Sequence, residues 1–254
     1  MSSEAIAAIA PKRPFTPYNK WDRDFFLIWI LLIWVGIVMG FGSDMIRHVK
    51  SHEAPYPLIV HFHAVVFVSF LVLLTTQVLL IRNNRPDIHR KLGIAGVCLA
   101  ALMLVLGPAT AIVVQRAQFG TPDSDPAFVV IQFIGILDFF VLIVAAALLR
   151  KNAPAHKRLI LLAILAISDA GFARWLGGDF HAWLGDGWWS SFAGLFLVSD
   201  ILVLGLGAYD LVTRRRLHPA YIAGASWIFA CQLLENFLNH SPGWKTVATH
   251  IIGH

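Results

Sequence analysis

The sequence predicts an all-α fold, a polytopic membrane bundle of about seven transmembrane helices. Hydrophobic residues make up 57% of the 254-residue chain and charged residues only 14%, whereas a soluble domain carries roughly 25% charged residues. The apolar residues also occur in long runs, and a run of about 18 or more is long enough to cross a bilayer as a helix. The lipid bilayer is therefore the first predicted partner.

Seven apolar runs can be marked along the chain, and no linker between them is long enough to separate domains. We therefore expect a single integral membrane domain over 1–254. It consists of a cytoplasmic N-terminal segment (1–24), a helical bundle (25–238) and a periplasmic tail (239–254). The predicted spans are 25–42, 58–81, 92–114, 127–149, 159–176, 191–212 and 221–238.

The lysines and arginines predict the orientation of the bundle. Of the 20 in the chain, fifteen precede the first run or lie in alternate loops, and five fall on the other side. Cytoplasmic loops carry the excess of basic residues, so the N-terminus is expected in the cytoplasm and the C-terminus in the periplasm. This pattern also accounts for the net charge of +5, so no nucleic-acid partner is expected. The five residues on the other side are Arg47, Lys50, Arg116, Arg174 and Lys245.

A spaced set of polar motifs runs through the apolar segments. It comprises His61-Phe-His63, then Gln77, His89-Arg-Lys-Leu-Gly93, Asp138 and His156-Lys-Arg-Leu159. Over about residues 55–215 this set resembles a widespread group of bacterial membrane proteins defined as a domain of unknown function. The resemblance implies a multi-pass protein of the bacterial inner membrane and implies no particular activity.

A looser resemblance links the chain to cytochrome b561-type haem-binding bundles. In those proteins, histidines on different helices ligate haem on each side of the membrane. The resemblance implies that His89 and His156 ligate a haem b near the cytoplasmic side, with Arg90 and Arg158 beside its propionates. The chain departs from the pattern because its fourth and sixth spans lack histidine. The alternative is that these histidines are interfacial residues that contact lipid phosphates or loop carbonyls.

Most of the eleven histidines fall on the predicted outer side. His63 and Gln77 are fourteen residues apart, which places them on nearly the same helix face, so His63 is expected to point inward. Imidazole and carboxylate groups together suit iron, copper or zinc; the alternative is a set of loop histidines that never meet. The candidate cofactor ligands are His63, His89, His156 and His181, and the candidate metal ligands are Asp44, His48, His61, His63 and His240.

Three aspartates lie deep in the predicted spans. Asp138 and Asp200 are near the middles of spans four and six, and Asp169 is in span five, five residues before Arg174. Ionisable groups at such depth cost a few kcal/mol and face the bundle interior or one another. Two interpretations remain open: a proton or cation relay, or structural carboxylates that include an Asp169–Arg174 pair.

These patterns favour a membrane-embedded redox protein that holds haem b or a transition metal through histidines. It would transfer electrons to a redox partner or carry out oxidoreductase-type chemistry. The sequence has no P-loop, GxSxG, HExxH or Rossmann glycine pattern, so it provides no motif for nucleotide or hydrolase chemistry. The alternatives are a proton- or cation-coupled transporter that uses Asp138, Asp169 and Asp200, and a cofactor-free subunit that assembles with other membrane subunits.

Overall fold

A computed structural model describes residues 15–52, 55–121 and 124–254 of the chain. All the regular secondary structure within these ranges is helical, which confirms the predicted all-α class. A 3-10 turn over Pro126–Phe128 precedes the fourth helix. The helices are α1 (Asp22–Lys50), α2 (Leu58–Arg82), α3 (Pro86–Gln118), α4 (Val129–Leu148), α5 (Ala153–Leu184), α6 (Trp188–Arg214), α7 (Pro219–Asn239) and α8 (Pro242–Ile251).

Six helices, α1 to α6, are long and apolar enough to cross a membrane. The chain is therefore a multi-pass membrane protein, and six of the seven predicted spans are confirmed at this level. The seventh, in α7, does not belong to this set, because Gln232, Glu235 and Asn236 lower its mean hydropathy. Even so, α7 extends along the whole bundle, since its start lies beside Asp210 and its end beside Trp188.

The helices extend well beyond the apolar runs that predicted them. The fifth run covers 159–176, but α5 begins at Ala153 and ends at Leu184. Asn152 caps the start of this helix by accepting a hydrogen bond from the amide of Ala155 at 3.3 Å, and proline in the first turn supports the same start. Hydropathy reports only the part of a helix that lies in the apolar region.

Helix α5 is the central element of the bundle. It packs against α1, α4, α6 and α7, and 61% of its most apolar segment is buried. Leu162 and Leu165 of α5 and Phe139 of α4 are completely buried in the resulting core. A helix that is buried on most sides shows little amphipathic periodicity, so its sequence does not reveal which face meets which neighbour.

Helices α1 and α5 approach each other through glycine. A Cβ atom added at Gly40 would collide with the backbone carbonyl of Gly171, and one added at Gly171 would lie 2.8 Å from the carbonyl oxygen of Gly36. Small residues allow membrane helices to pack backbone against backbone, which increases dispersion contact where lipid supplies no hydrophobic driving force. The glycines therefore determine how closely α1 lies against the central helix.

One end of the bundle, here called the basic end, is closed by buried ion pairs. Both side chains of the Arg158–Asp210 pair are fully shielded, and this pair joins α5 to α6. Asp22 at the start of α1 accepts hydrogen bonds from Arg214 at 2.8 Å and from Lys157 at 2.7 Å. Phe15 lies over the Arg158 guanidinium, 4.6 Å from its central carbon. The network fixes the ends of α1, α5 and α6 relative to one another.

We predict that Gly40→Ala destabilises the protein by about 1–3 kcal/mol, because the added methyl group would overpack the α1–α5 contact. The matched control is Gly42→Ala on the same helix, where a Cβ meets nothing within 4 Å. The control should be neutral or slightly stabilising, since alanine favours a helix over glycine. Thermal unfolding in detergent compares the two variants, and equal midpoints would disprove the proposed backbone contact.

Candidate functional site

His89 and His156 meet at the basic end, in the first turns of α3 and α5. Their ring centroids are 6.3 Å apart and the ring planes are perpendicular. The Nδ1 atom of His156 lies 2.8 Å from the carbonyl oxygen of Ala146, whereas the Nδ1 atom of His89 is buried without a partner. A backbone carbonyl at Nδ1 orients an imidazole and leaves Nε2 free to bind another group.

The two arginines expected beside this pair do not have equivalent roles. Arg158 donates both to Asp210 and to the carbonyl oxygen of Pro154, so its guanidinium is already engaged. The expectation that Arg158 pairs with haem propionates is therefore wrong, because the sequence did not reveal that Asp210 would supply a buried countercharge. Arg90 is exposed on the surface.

His48 and Asp44 lie near the end of α1, at the bundle end opposite the basic end. The ring of His48 stacks on Tyr56 with centroids 3.9 Å apart. Asp44 is engaged by two arginines, Arg47 on its own helix and Arg174 on α5, the latter with 3.7 Å between nitrogen and oxygen. Arg174 therefore pairs with Asp44, and the alternative expectation of an Asp169–Arg174 pair is wrong.

The two histidines at the start of α2 have different surroundings. His61 is exposed. His63 is partly buried and stacks on Phe67 with centroids 3.9 Å apart, and its Nδ1 atom is buried without a hydrogen-bond partner. Gln77 on the same helix donates to the carbonyl oxygen of His89 at 3.1 Å. It joins α2 to α3 at the basic end, so it does not share a site with His63.

The remaining candidate ligands, His181 and His240, each form a hydrogen bond to a nearby residue through Nδ1. Nδ1 of His181 lies 2.9 Å from the hydroxyl oxygen of Ser190, and Nδ1 of His240 lies 2.7 Å from the carbonyl oxygen of Asn236. Within 15–52, 55–121 and 124–254, no three His, Cys, Asp or Glu side chains converge as a metal-binding group. The outer metal site thus stays a prediction from sequence.

Four carboxyl groups occupy the interior, one on each of four consecutive helices. This carboxyl quartet consists of Asp138 on α4, Asp169 on α5, Asp200 on α6 and Glu235 on α7. Asp169 lies within electrostatic range of Asp138 and Asp200, and Glu235 within range of Asp169 and Asp138. Asp138 and Glu235 are each only 3% exposed. Three members were candidates from sequence, and the fold brings them together with a fourth.

The hydrogen bonds around the quartet come from neutral groups. The hydroxyl of Ser199 donates to Asp169, and the side-chain amide of Gln232 donates to Asp200 at 3.0 Å. Among the described residues, no lysine, arginine or histidine forms an ion pair with any quartet member. The quartet therefore has no fixed countercharge, in contrast to the carboxylates at the basic end.

Several buried polar atoms near the quartet have no hydrogen-bond partner in the protein. They include one carboxyl oxygen of Asp138 and the amide oxygens of Gln132 and Gln232. Buried polar atoms are nearly always satisfied by protein or water, so each of these atoms has capacity for a further hydrogen bond. The interior around α4 and α7 is therefore suited to water or transferable protons.

Polar side chains also lie on the side of the quartet that faces away from the basic end. Towards the end opposite the basic end, Ser191 donates to Asn236 at 3.0 Å, and Asn236 donates to the carbonyl oxygen of Trp188 at 3.0 Å. Between the quartet and the Arg158–Asp210 pair lies a layer of buried aliphatic side chains. This aliphatic layer consists of Leu142, Leu162, Leu165, Leu206 and Ile228.

His218, the third basic-end histidine, has a structural role. Its Nδ1 accepts a hydrogen bond from the amide of Ala220 at 3.0 Å and caps α7. Burial, together with the positive charge of nearby Arg158, lowers the pKa of His218 below its usual value. The lowered pKa favours the neutral form of the ring. A neutral histidine keeps Nδ1 available as an acceptor, as the cap requires.

Glu235 is the quartet member that was not predicted from the sequence as part of this group. The signal was present in α7, because Gln232, Glu235 and Asn236 are spaced three and four apart and so share one helix face. A polar stripe on an otherwise apolar helix faces the bundle interior.

Comparisons of the chain with protein-family models, with curated proteins and with solved structures found no match.

Proposed function

We propose that this chain is a proton- or cation-coupled membrane transporter whose carboxyl quartet carries the coupling protons. The observation that supports this most directly is the placement of four carboxyl groups on α4, α5, α6 and α7 without a basic partner in the described ranges. Intramembrane carboxyl groups commonly mark proton relays or cation pathways. The transporter was the first alternative to the redox function from sequence alone.

Electrostatics supports proton occupancy of the quartet. The quartet members lie within electrostatic range of one another. Like charges in a medium of low dielectric repel, and carboxylates that interact in this way avoid the repulsion by retaining protons. Among the described residues, no three His, Cys, Asp or Glu side chains converge as a metal-binding group, so the quartet itself is not a metal site of that kind. The quartet therefore suits a species as small as a proton, transferred between neighbouring groups.

The surroundings indicate the side from which protons would arrive. Counting about 1.5 Å per residue from the basic end, Asp138 lies at a depth of roughly 15 Å and Glu235 at roughly 24 Å. Asn236, which follows Glu235 in the chain, accepts a hydrogen bond from Ser191 at the opposite end, while the aliphatic layer separates Asp138 from the basic end. In the proposed mechanism, protons enter at the opposite end, and a rearrangement of the aliphatic layer releases them.

We predict that Asp138→Asn leaves membrane insertion intact and lowers proton uptake about tenfold or more, because an amide can hydrogen-bond but cannot carry a proton. Purified protein in liposomes with an internal pH-sensitive dye gives the rate under an imposed potassium diffusion potential. Asp200→Asn should behave in the same way. The control is Asp87→Asn, an equal charge change at an exposed residue paired with Arg85.

The control should retain the wild-type rate. If both interior variants also take up protons at the wild-type rate, the relay is excluded, and the carboxyl groups only connect helices. A chain that inserts normally but shows no proton uptake above empty liposomes would instead favour the third alternative, a cofactor-free subunit of a larger membrane complex.

We propose further that α7 is a seventh membrane crossing, with the N-terminus in the cytoplasm and the C-terminus in the periplasm of a bacterial inner membrane. Its 21 residues give a length of about 30 Å, close to the thickness of the hydrocarbon core. The basic end collects most of the lysines and arginines, which favours the cytoplasm for that end.

A reporter enzyme active only in the cytoplasm should therefore be active when fused after Arg216 and silent when fused at His254. Between the two fusion points, α7 is the one proposed membrane crossing. The pair of fusions therefore tests both the seventh span and the orientation of the bundle. Activity at both points would mean that α7 does not cross, and the reverse pattern would invert the orientation.

The contact between His89 and His156 favours redox function as a second candidate. The rings of these two histidines lie close together, with centroids 6.3 Å apart, and imidazole nitrogen is a common metal and haem-iron ligand. These residues would hold a haem b or a single iron, copper or zinc ion. A bound haem or redox-active metal would supply one-electron transfer to a partner protein. His156 is already oriented by the Ala146 carbonyl.

If this second function is correct, gently purified protein will show a haem Soret band that shifts on reduction, or about one equivalent of metal. His89→Ala and His156→Ala should each remove the signal, since both ligands are required. His63→Ala tests the other predicted ligand, whose Nδ1 atom lacks a partner, and exposed His61→Ala is its control. Absence of both haem absorbance and stoichiometric metal would exclude this function and leave the proton relay unaffected.

A further inference from the structure

A cavity of about 200 Å³ lies between α6 and α7 and extends from Tyr221, in the first turn of α7, to Asp200 of the carboxyl quartet. Its wall includes Leu204 and Phe229, whose side chains are 67% and 51% exposed on the outside of the bundle. At mid-depth in a membrane protein, that outside is the hydrocarbon of the bilayer. The cavity is therefore accessible from lipid rather than from water.

The inner wall of this cavity contains Asp200. The other lining side chains are apolar, apart from the Tyr221 hydroxyl, which already donates to the carbonyl oxygen of Val203 at 3.1 Å. Gln232 donates to one carboxyl oxygen of Asp200 at 3.0 Å, and its own amide oxygen is buried without a partner. One acidic group thus lines an otherwise largely apolar space.

We infer that this cavity binds a lipophilic organic cation that enters laterally from the bilayer and pairs with the Asp200 carboxylate. The inference rests on the proposed proton-coupled function and names its substrate class. In each cycle the cation replaces the proton on Asp200, and that proton leaves through the other quartet members. Charge at the site is conserved, because one positive charge arrives as another departs.

The chemistry of the lining favours a cation over an uncharged lipid chain. An apolar wall binds hydrocarbon of any charge, but a carboxylate without a fixed countercharge attracts only a positive group. The ring of Phe229 adds an aromatic surface of the kind that binds quaternary ammonium groups. Entry from the bilayer selects molecules that dissolve in it, so a hydrated inorganic ion is not favoured.

The probe is radiolabelled benzyltrimethylammonium, a permanent cation, bound to the purified full chain in detergent and measured by equilibrium dialysis. Saturable binding at about one site per chain is expected, and Asp200→Asn should weaken it about tenfold or more, the effect of removing one partner of a buried charge pair. Asp87→Asn, the exposed control, should bind as the wild type does. Equal affinity in the wild type and Asp200→Asn would overturn the inference.

A second comparison needs no variant and covers the case in which Asp200→Asn fails to fold. Neopentylbenzene has the same shape as the probe, with carbon in place of the charged nitrogen. It should fail to displace the labelled cation at equal concentration in the detergent phase. Displacement as effective as that by the unlabelled cation would identify the cavity as an acyl-chain groove and reject the inference.

The binding experiment uses no proton gradient, so its outcome is separate from that of the proton-uptake measurement. Failure of cation binding with proton uptake intact rejects the substrate class alone. If the cation binds but proton uptake does not depend on Asp138, the coupling mechanism is rejected and the cavity remains a binding site. Liposomes that contain the wild-type chain should also release protons when the cation is added, which links the two measurements.

Discussion

The Arg158–Asp210 ion pair is the interaction on which the arrangement of this bundle depends. Both side chains are fully shielded, and an ionised group buried without a partner would cost several kcal/mol. The pair therefore fixes α5 against α6. Because α5 also packs on α1, α4 and α7, every one of these helices is positioned relative to the pair. Arg214 and Asp22 extend the network to the start of α1 and close the basic end.

The cost of burying an unpaired charge also applies to the carboxyl quartet, but there no basic partner within the described ranges offsets it. Asp138, Asp169, Asp200 and Glu235 lie in a similarly apolar environment, but neutral donors such as Ser199 are their hydrogen-bond partners. A salt bridge holds charge in one place, whereas an unpaired carboxyl group exchanges its charge with a proton. The bundle thus separates a fixed ionic end from an interior that exchanges protons in the proposed function, and the aliphatic layer lies between them.

The sequence predicted the helical membrane class and six of the spans, because hydropathy over a long window depends only on composition. It could not predict which helix is central, since α5 is buried on most sides and its pattern has no preferred face. It identified Asp138, Asp169 and Asp200 by their depth, but pairing depends on helix rotation. One of the two open interpretations therefore paired Arg174 with Asp169, whereas it pairs with Asp44. Glu235 was not recognised as a neighbour of the aspartates.

Stability alone does not account for the quartet. Replacement of buried ionisable groups by apolar residues of similar volume is often neutral or stabilising, and α7 would become a stronger membrane span without Glu235 and Gln232. The glycine contact between Gly40 and Gly171 and the aliphatic core already provide packing that needs no interior charge. Four carboxyl groups on four consecutive helices, one of them in the wall of a lipid-accessible cavity, are therefore explained better by the proposed proton exchange at Asp200 than by helix assembly.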